Sequence, residues 1–155
     1  MKKTYRVNSA EQTEELGRTV AELLESNSIS RAFIAMRGEM GVGKTAFTRG
    51  FASHFGIKNV KSPTFTVLNE YRGRVPIHHF DFYRITDEDD LYSIGFDDCI
   101  AANGYSIGEW SENVESSLPD DRITVTISRV NTGSGMDADL RDIEIDYGTR
   151  SFERK

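Results

Sequence analysis

Five apolar residues in a row, Ala32-Phe33-Ile34-Ala35-Met36, run almost directly into a loop with glycine at 38, 41 and 43, followed by Lys44 and Thr45. A short unbroken apolar run fits a strand buried on both faces, as strands of a parallel sheet are. Beyond the loop, Phe47, Phe51 and Phe55 recur at i, i+4 and i+8, which is one face of a helix over residues 45–55, and Gly56 stands where that helix should end. Strand, glycine loop and helix in this order predict an α/β fold.

The loop reads Gly38-Glu39-Met40-Gly41-Val42-Gly43-Lys44-Thr45 and meets the spacing G-x-x-x-x-G-K-[ST] at every position. Its glycines permit backbone torsions closed to other residues, so its N–H groups can turn inward around phosphate oxygens. Lys44 brings a point charge for the β and γ phosphates, and Thr45 a hydroxyl for Mg²⁺. A helix starting near Lys44 points its positive end at the same anion. The expectation is a P-loop that binds nucleotide.

The rest of the chain supplies strands and helices in keeping with this. Residues 4–7 predict a short strand. Ser9 and Gln12 form a capping box ahead of a helix to Glu25, along which Leu16, Val20, Leu23 and Leu24 recur at helical spacing. Strands are expected from a turn at 62–64 through Tyr71, over 75–83 and over 105–110, with an acidic helix over 86–94 capped by Thr86. Alternating apolar residues at 123, 125 and 127 and at 143, 145 and 147 predict a terminal hairpin around 131–135. With 155 residues and neither repeat nor linker, one domain is expected over 1–155. The fold class expected is thus a single P-loop NTPase domain, a central mostly parallel sheet flanked by helices, with antiparallel C-terminal edge strands.

Charge limits the partners. With 19 basic and 25 acidic residues the chain carries −6, and its Lys and Arg are too few and scattered to hold nucleic acid by counterion release. A lone Cys99 rules out an internal disulfide and suits a reducing compartment. No apolar run nears the roughly 20 residues of a membrane span, and the basic N-terminus is followed by Val7-Asn8-Ser9 rather than an apolar segment. A cytoplasmic protein without membrane contact is expected.

A P-loop needs carboxylates to hold magnesium and to orient the attacking water. Asp81, in Ile77-His78-His79-Phe80-Asp81, and Glu109, in Tyr105-Ser106-Ile107-Gly108-Glu109, each end an apolar strand. In a parallel sheet both emerge beside the loop, at the strands' carboxyl ends. Thr64, in Ser62-Pro63-Thr64-Phe65, stands where a γ-phosphate-sensing loop would lie. Adjacent His78 and His79 point to opposite faces of a strand and cannot share an ion, so they are read as packing or hydrogen-bonded histidines, as is His54. Trp110, beside Glu109, packs or shields the site.

Taken together, Gly38–Thr45 with Ala46-Phe47-Thr48-Arg49-Gly50, then Ser62-Pro63-Thr64-Phe65-Thr66, His79-Phe80-Asp81-Phe82-Tyr83-Arg84 and Glu109-Trp110 resemble the bacterial TsaE (YjeE) family. The resemblance runs from about residue 9 to 147. It implies a weak ATPase of tRNA threonylcarbamoyladenosine biosynthesis, working with the TsaB and TsaD proteins and meeting tRNA only through that complex. It implies ATP and Mg²⁺ as cofactors. The nucleotide would lie against Gly38, Glu39, Met40, Gly41, Val42, Gly43, Lys44, Thr45, Ala46 and Thr64, bordered by Thr13 and Arg141. Thr45 and Glu109 would hold the metal, and Lys44, Asp81 and Glu109 would serve catalysis, Asp81 near the γ-phosphate. Gly108 departs from the family, which usually has Ile or Val before Glu-Trp, and glycine loosens a strand interior. A small-molecule P-loop kinase is the alternative, but arginines 122, 129, 141 and 150 are scattered and form no lid.

Overall fold

The structure is a computed structural model in which residues 1–39, 41–61, 67–130 and 139–149 are described. Met40, the 62–66 segment with Thr64, and the expected turn at 131–135 lie outside the described residues. The elements are β1 (Lys2–Val7), α1 (Ala10–Ser26), β2 (Arg31–Arg37), α2 (Lys44–Ser53), β3 (Leu68–Arg72), β4 (Pro76–Asp81), α3 (Glu88–Ser93), α4 (Phe96–Ala101), β5 (Gly104–Glu109), a 3₁₀ segment (Ser111–Ser117), β6 (Ile123–Arg129) and β7 (Arg141–Asp146).

The seven strands form one mixed sheet in the order β1-β7-β6-β2-β5-β4-β3. β6, β2, β5 and β4 run parallel, and β3, β7 and β1 are antiparallel to their neighbours. Antiparallel strands therefore stand at both edges, not only at the C-terminal one. β6 and β7 pair antiparallel as expected of the C-terminal strands, but β6 also pairs in parallel with β2, so that Ile34 lies opposite Ile123, and only β7 and β1 remain outside it.

β2 is buried on both faces because its alternate residues feed two cores. Ala32, Ile34 and Met36 pack with Leu16, Val20 and Leu24 of α1 and Phe47 and Phe51 of α2. Phe33 and Ala35 face an aromatic layer of Phe80, Phe82 and Phe96, closed by Leu91 of α3 and by Val114 and Leu118. The Phe80 and Phe82 rings stack 5.5 Å apart, and Phe96 meets both edge-on. Full burial of each such side chain contributes about 1.5–3 kcal/mol. α1 and α2 touch through Gly17 and Gly50, where a Cβ would run into the carbonyls of Phe47 and Glu14. Glycine at the crossing lets α2 lie tight against α1 and fixes the height of its N-terminus above the sheet.

Helix caps form much as the sequence predicts. The Ser9 hydroxyl accepts from the Gln12 N–H at 3.2 Å, and the Gln12 amide oxygen accepts from the Asn8 N–H at 2.8 Å. α3 starts later than expected, at Glu88, since Asp87 rather than Thr86 caps it by accepting from the Asp90 N–H at 2.9 Å. Thr86 is drawn off to the Asp90 carboxylate, which it meets through both its N–H and its hydroxyl. α4 and the 3₁₀ segment are absent from the sequence reading; each is too short for a clear helical period.

Candidate functional site

The loop after β2 rises at the carboxyl end of the parallel strands. Gly38, Gly41 and Gly43 have φ of 146°, 74° and 119°, in the left-handed region that glycine alone adopts freely. A Cβ on Gly38 would also lie 2.6 Å from the Ile127 carbonyl, so that glycine lets the loop sit against β6. Three cationic side chains tie the loop down. Lys44 Nζ donates to the Gly38 carbonyl at 2.8 Å, Arg141 Nε to the Val42 carbonyl at 3.0 Å, and Arg129 pairs with Glu39 at 2.9 Å. α2 begins at Lys44 with no side-chain cap on Gly43. Its first-turn amides thus face the loop, the arrangement that favours an anion.

Asp81 and Glu109 stand opposite one another in register on β4 and β5, with Met36 of β2 beside Glu109. Both acids are buried. The Asp81 carboxylate accepts from the Tyr83 N–H at 2.9 Å. Glu109 Oε2 lies 2.7 Å from His79 Nε2, and His79 Nδ1 lies 3.2 Å from the Tyr71 hydroxyl. Lys44 is buried among these groups. Its desolvation pulls the ammonium below its ordinary pKa, opposed by the charges of Glu109, Glu112 and Asp81. Its Nζ lies 4.0 Å from the centre of the Trp110 ring, which packs in turn on Tyr83. Trp110 holds φ of 59°, unusual for a bulky residue, at the turn that ends β5.

The structure thus brings Lys44, Asp81 and Glu109 together at the loop. Thr45 is half-buried on the first turn of α2 and Ala46 is buried next to it. Thr13 and Arg141, widely separated in sequence, meet in a cavity of about 170 Å³ shared with Gly41, Val42, Gly43 and Ala46. A second cavity, about 400 Å³, opens on the other flank of the loop between Arg37, Glu39, Trp110, Glu112 and Arg129. Among the described residues Glu112 Oε1 finds no hydrogen-bond partner, although it is buried there.

Gly108 has a packing reason. A Cβ there would run into the Phe82 ring and come within 3.0 Å of the Phe33 ring, so glycine is what admits the aromatic layer at this point. Sequence reasoning missed His79 as part of the site. The signal was present: with a period of two, His79 shares a face of β4 with Asp81. Glu112 carried no such signal, since it lies on the unforeseen 3₁₀ segment.

Thr45 and Glu109 offer oxygen donors of the type Mg²⁺ takes, and Mg²⁺ commonly binds one or two protein oxygens and completes its shell with phosphate and water. Among the described residues no group of three or more His, Cys, Asp or Glu could hold a metal by itself. Nor is any helix among them long and apolar enough to cross a membrane.

A mixed α/β sheet flanked by helices, with a glycine loop and two buried carboxylates at its parallel strand ends, defines the class. Residues 7–136 match the family model described as threonylcarbamoyl adenosine biosynthesis protein TsaE. The tRNA threonylcarbamoyladenosine biosynthesis protein TsaE of Treponema pallidum is 35% identical over 127 residues, 81% of this chain and 91% of that protein. Its Bacillus subtilis namesake is 34% identical over 127 residues, 81% and 77% of the two chains. The crystal structure of Bacillus subtilis YdiB superposes with a TM-score of 0.71 at 27% identity, covering 96% of this chain and 87% of that one. The chain belongs to the TsaE family.

Proposed function

We propose that this chain is a P-loop ATPase, one domain over residues 1–155, that binds and slowly hydrolyses Mg-ATP in the cytoplasm. Its role is to drive or reset a TsaB–TsaD complex in the threonylcarbamoyladenosine modification of tRNA. The observation that carries the reading is the convergence of Lys44, Asp81 and Glu109 on one glycine loop. Membership of a family whose relatives bear that pathway's name supports the biological setting.

In this reading the loop amides of 38–45 and the start of α2 cradle the phosphates. Lys44 exchanges its contacts with the Gly38 carbonyl and the Trp110 ring for phosphate oxygens. Thr45 and Glu109 hold Mg²⁺, which supplies charge neutralisation at the transferring phosphoryl group. Asp81 orients the attacking water from the neighbouring strand. Thr13, Ala46 and Arg141 border the rest of the nucleotide in the smaller cavity. With 19 basic against 25 acidic residues the chain is a poor holder of nucleic acid by counterion release, so tRNA is met only through the partner proteins, and the nucleotide state acts by switching the assembly.

Reconstitution with TsaB and TsaD proteins and tRNA, with the nucleotide varied, tests this. Slow ATP turnover by the chain alone and multi-turnover modification only in its presence are expected. Full multi-turnover modification by the two partners without it, or rapid phosphate transfer to a metabolite, overturns the proposal.

A further inference from the structure

A chain of hydrogen bonds runs from Glu109 through the interior to the backbone at Lys61. Glu109 Oε2 lies 2.7 Å from His79 Nε2. His79 Nδ1 lies 3.2 Å from the Tyr71 hydroxyl, which also takes the Lys61 N–H at 3.1 Å and lies 2.8 Å from the Lys61 carbonyl. Asn69 braces the same point by donating to the Lys61 carbonyl at 3.2 Å.

The donors and acceptors fix the direction of the chain. An ionised Glu109 only accepts, so Nε2 must carry the proton facing it. The Tyr71 hydroxyl has one proton and two acceptors in reach, the Lys61 carbonyl and His79 Nδ1. With Nδ1 unprotonated, the His79–Tyr71 link forms when the hydroxyl donates to Nδ1, and the Lys61 N–H then holds the phenolic oxygen by donating to it.

His79 is fully buried, on the face of β4 that also carries Ile77 and opposite Ile107 of β5. An imidazole in such a place costs free energy that a leucine would avoid, unless its hydrogen bonds do something an apolar side chain cannot. What it does here is hold one carboxylate. Glu109 accepts from no other side chain in the described structure, and its rotamer would otherwise be set by packing alone. β4 and β3 supply the support: in register, Asn69 lies opposite His79, and Tyr71 is two residues along the same face.

We propose that His79 is a positioning residue for Glu109, and that Tyr71 anchors His79 to the backbone of Lys61, so that the metal-holding carboxylate is pre-aimed before nucleotide arrives. The inference rests on the nucleotide reading of the site given above. Groups that orient a ligand from behind typically change metal affinity or activity by about 10–100-fold when lost.

Binding of Mn²⁺ in the presence of a non-hydrolysable ATP analogue, followed by electron paramagnetic resonance, reads the aim of Glu109 without turnover. Three substitutions separate the two ends of the imidazole. His79→Leu removes both contacts and should weaken Mn²⁺ by about 10–100-fold. His79→Gln extends an amide N–H to the position of Nε2 and should recover most of that loss. His79→Asn reaches only the position of Nδ1 and should not. Affinity for the analogue in EDTA should stay as in wild type for all three, and thermal unfolding should confirm that each is folded. Tyr71→Phe should weaken Mn²⁺ by less than His79→Leu. Equal Mn²⁺ affinities for the Gln and Asn variants, or unchanged affinity in any folded His79→Leu protein, would overturn the positioning role while leaving the nucleotide reading in place. A wild-type chain that takes up no Mn²⁺ with the analogue overturns both.

Discussion

The ammonium of Lys44 rests on the indole face of Trp110, 4.0 Å from the ring centre, while donating to the Gly38 carbonyl at 2.8 Å. The pair places the sole tryptophan of the chain in contact with the cation that phosphate should attract. Titration with ATP should therefore change the intrinsic fluorescence of the wild type. Lys44→Ala should remain folded and lose most of its ATP affinity, since a hydrogen bond to a charged group contributes about 1.5–3 kcal/mol. Undiminished ATP binding by that variant would sink the phosphate-cradle reading. Burial also sets a pH dependence. It holds Lys44 below its ordinary value of 10.5, and phosphate binds the charged form, so affinity is fully present only below the depressed value. Affinity should fall as pH rises through the depressed value, earlier than an exposed lysine would allow.

Glu109→Gln keeps shape and removes charge. ATP binding should persist or tighten while hydrolysis falls about a hundredfold or more, the scale on which losing one group that stabilises transition-state charge acts, because the metal loses the carboxylate that holds it. Steady-state phosphate release set against nucleotide affinity checks this. Normal turnover in Glu109→Gln, with turnover abolished in Asp81→Asn, would reverse the order of the two acids.

Gly108→Val restores a β-branched residue at a position where its side chain meets Phe82 and Phe33. Overpacking here should destabilise the fold by about 1–3 kcal/mol, measured by urea unfolding. Phe82→Leu in the same chain should recover part of the loss, because it vacates the space that the added isopropyl group would claim. A Gly108→Val chain as stable as wild type would show that the aromatic layer shifts freely.

Glu25, in the last turn of α1, holds Arg74 at 2.7 Å and His54 at 3.1 Å, joining α1 to the end of α2 and to the β3–β4 turn. The Arg74 hydrogen bond, against partial desolvation, keeps this carboxyl below its ordinary 4.5. A depressed carboxylate stabilises the folded state above 4.5, and that stability is lost as pH falls through the depressed value. Glu25→Gln should lower the midpoint of thermal unfolding slightly at pH near 7, and the gap to wild type should close in acid. A gap that persists unchanged in strong acid would assign the effect to packing.

Much of this site was legible because its residues sit where local chemistry is unambiguous. The glycine loop follows a run apolar on both faces, and Asp81 and Glu109 each close a strand. Thr13 and Arg141 could be placed at the loop only through family resemblance, and the structure brings both into one cavity with it. Other features depend on partners far away in sequence. β6 alternates like an edge strand, yet it joins the parallel core because β7 and β1 lie outside it and shield its flank. Glu112 lies near Lys44 only because a 3₁₀ segment too short to show a period turns it inward. The sequence places His79 as a packing or hydrogen-bonded histidine, but its hydrogen-bond partner, Glu109, lies 30 residues on.

The in-register pairing of Asp81 with Glu109 also governs how this sequence can tolerate changes in length. Side chains on β4 alternate, so one added or deleted residue within Pro76–Asp81 would turn His79 and Asp81 into the phenylalanine layer and Phe80 toward Lys44. Both cores would then carry the wrong chemistry at once. Pairs of residues keep the parity, but they would displace Asp81 along β5 by about 6–7 Å, out of reach of the loop. Natural insertions and engineered tags should therefore be excluded from β4 and β5.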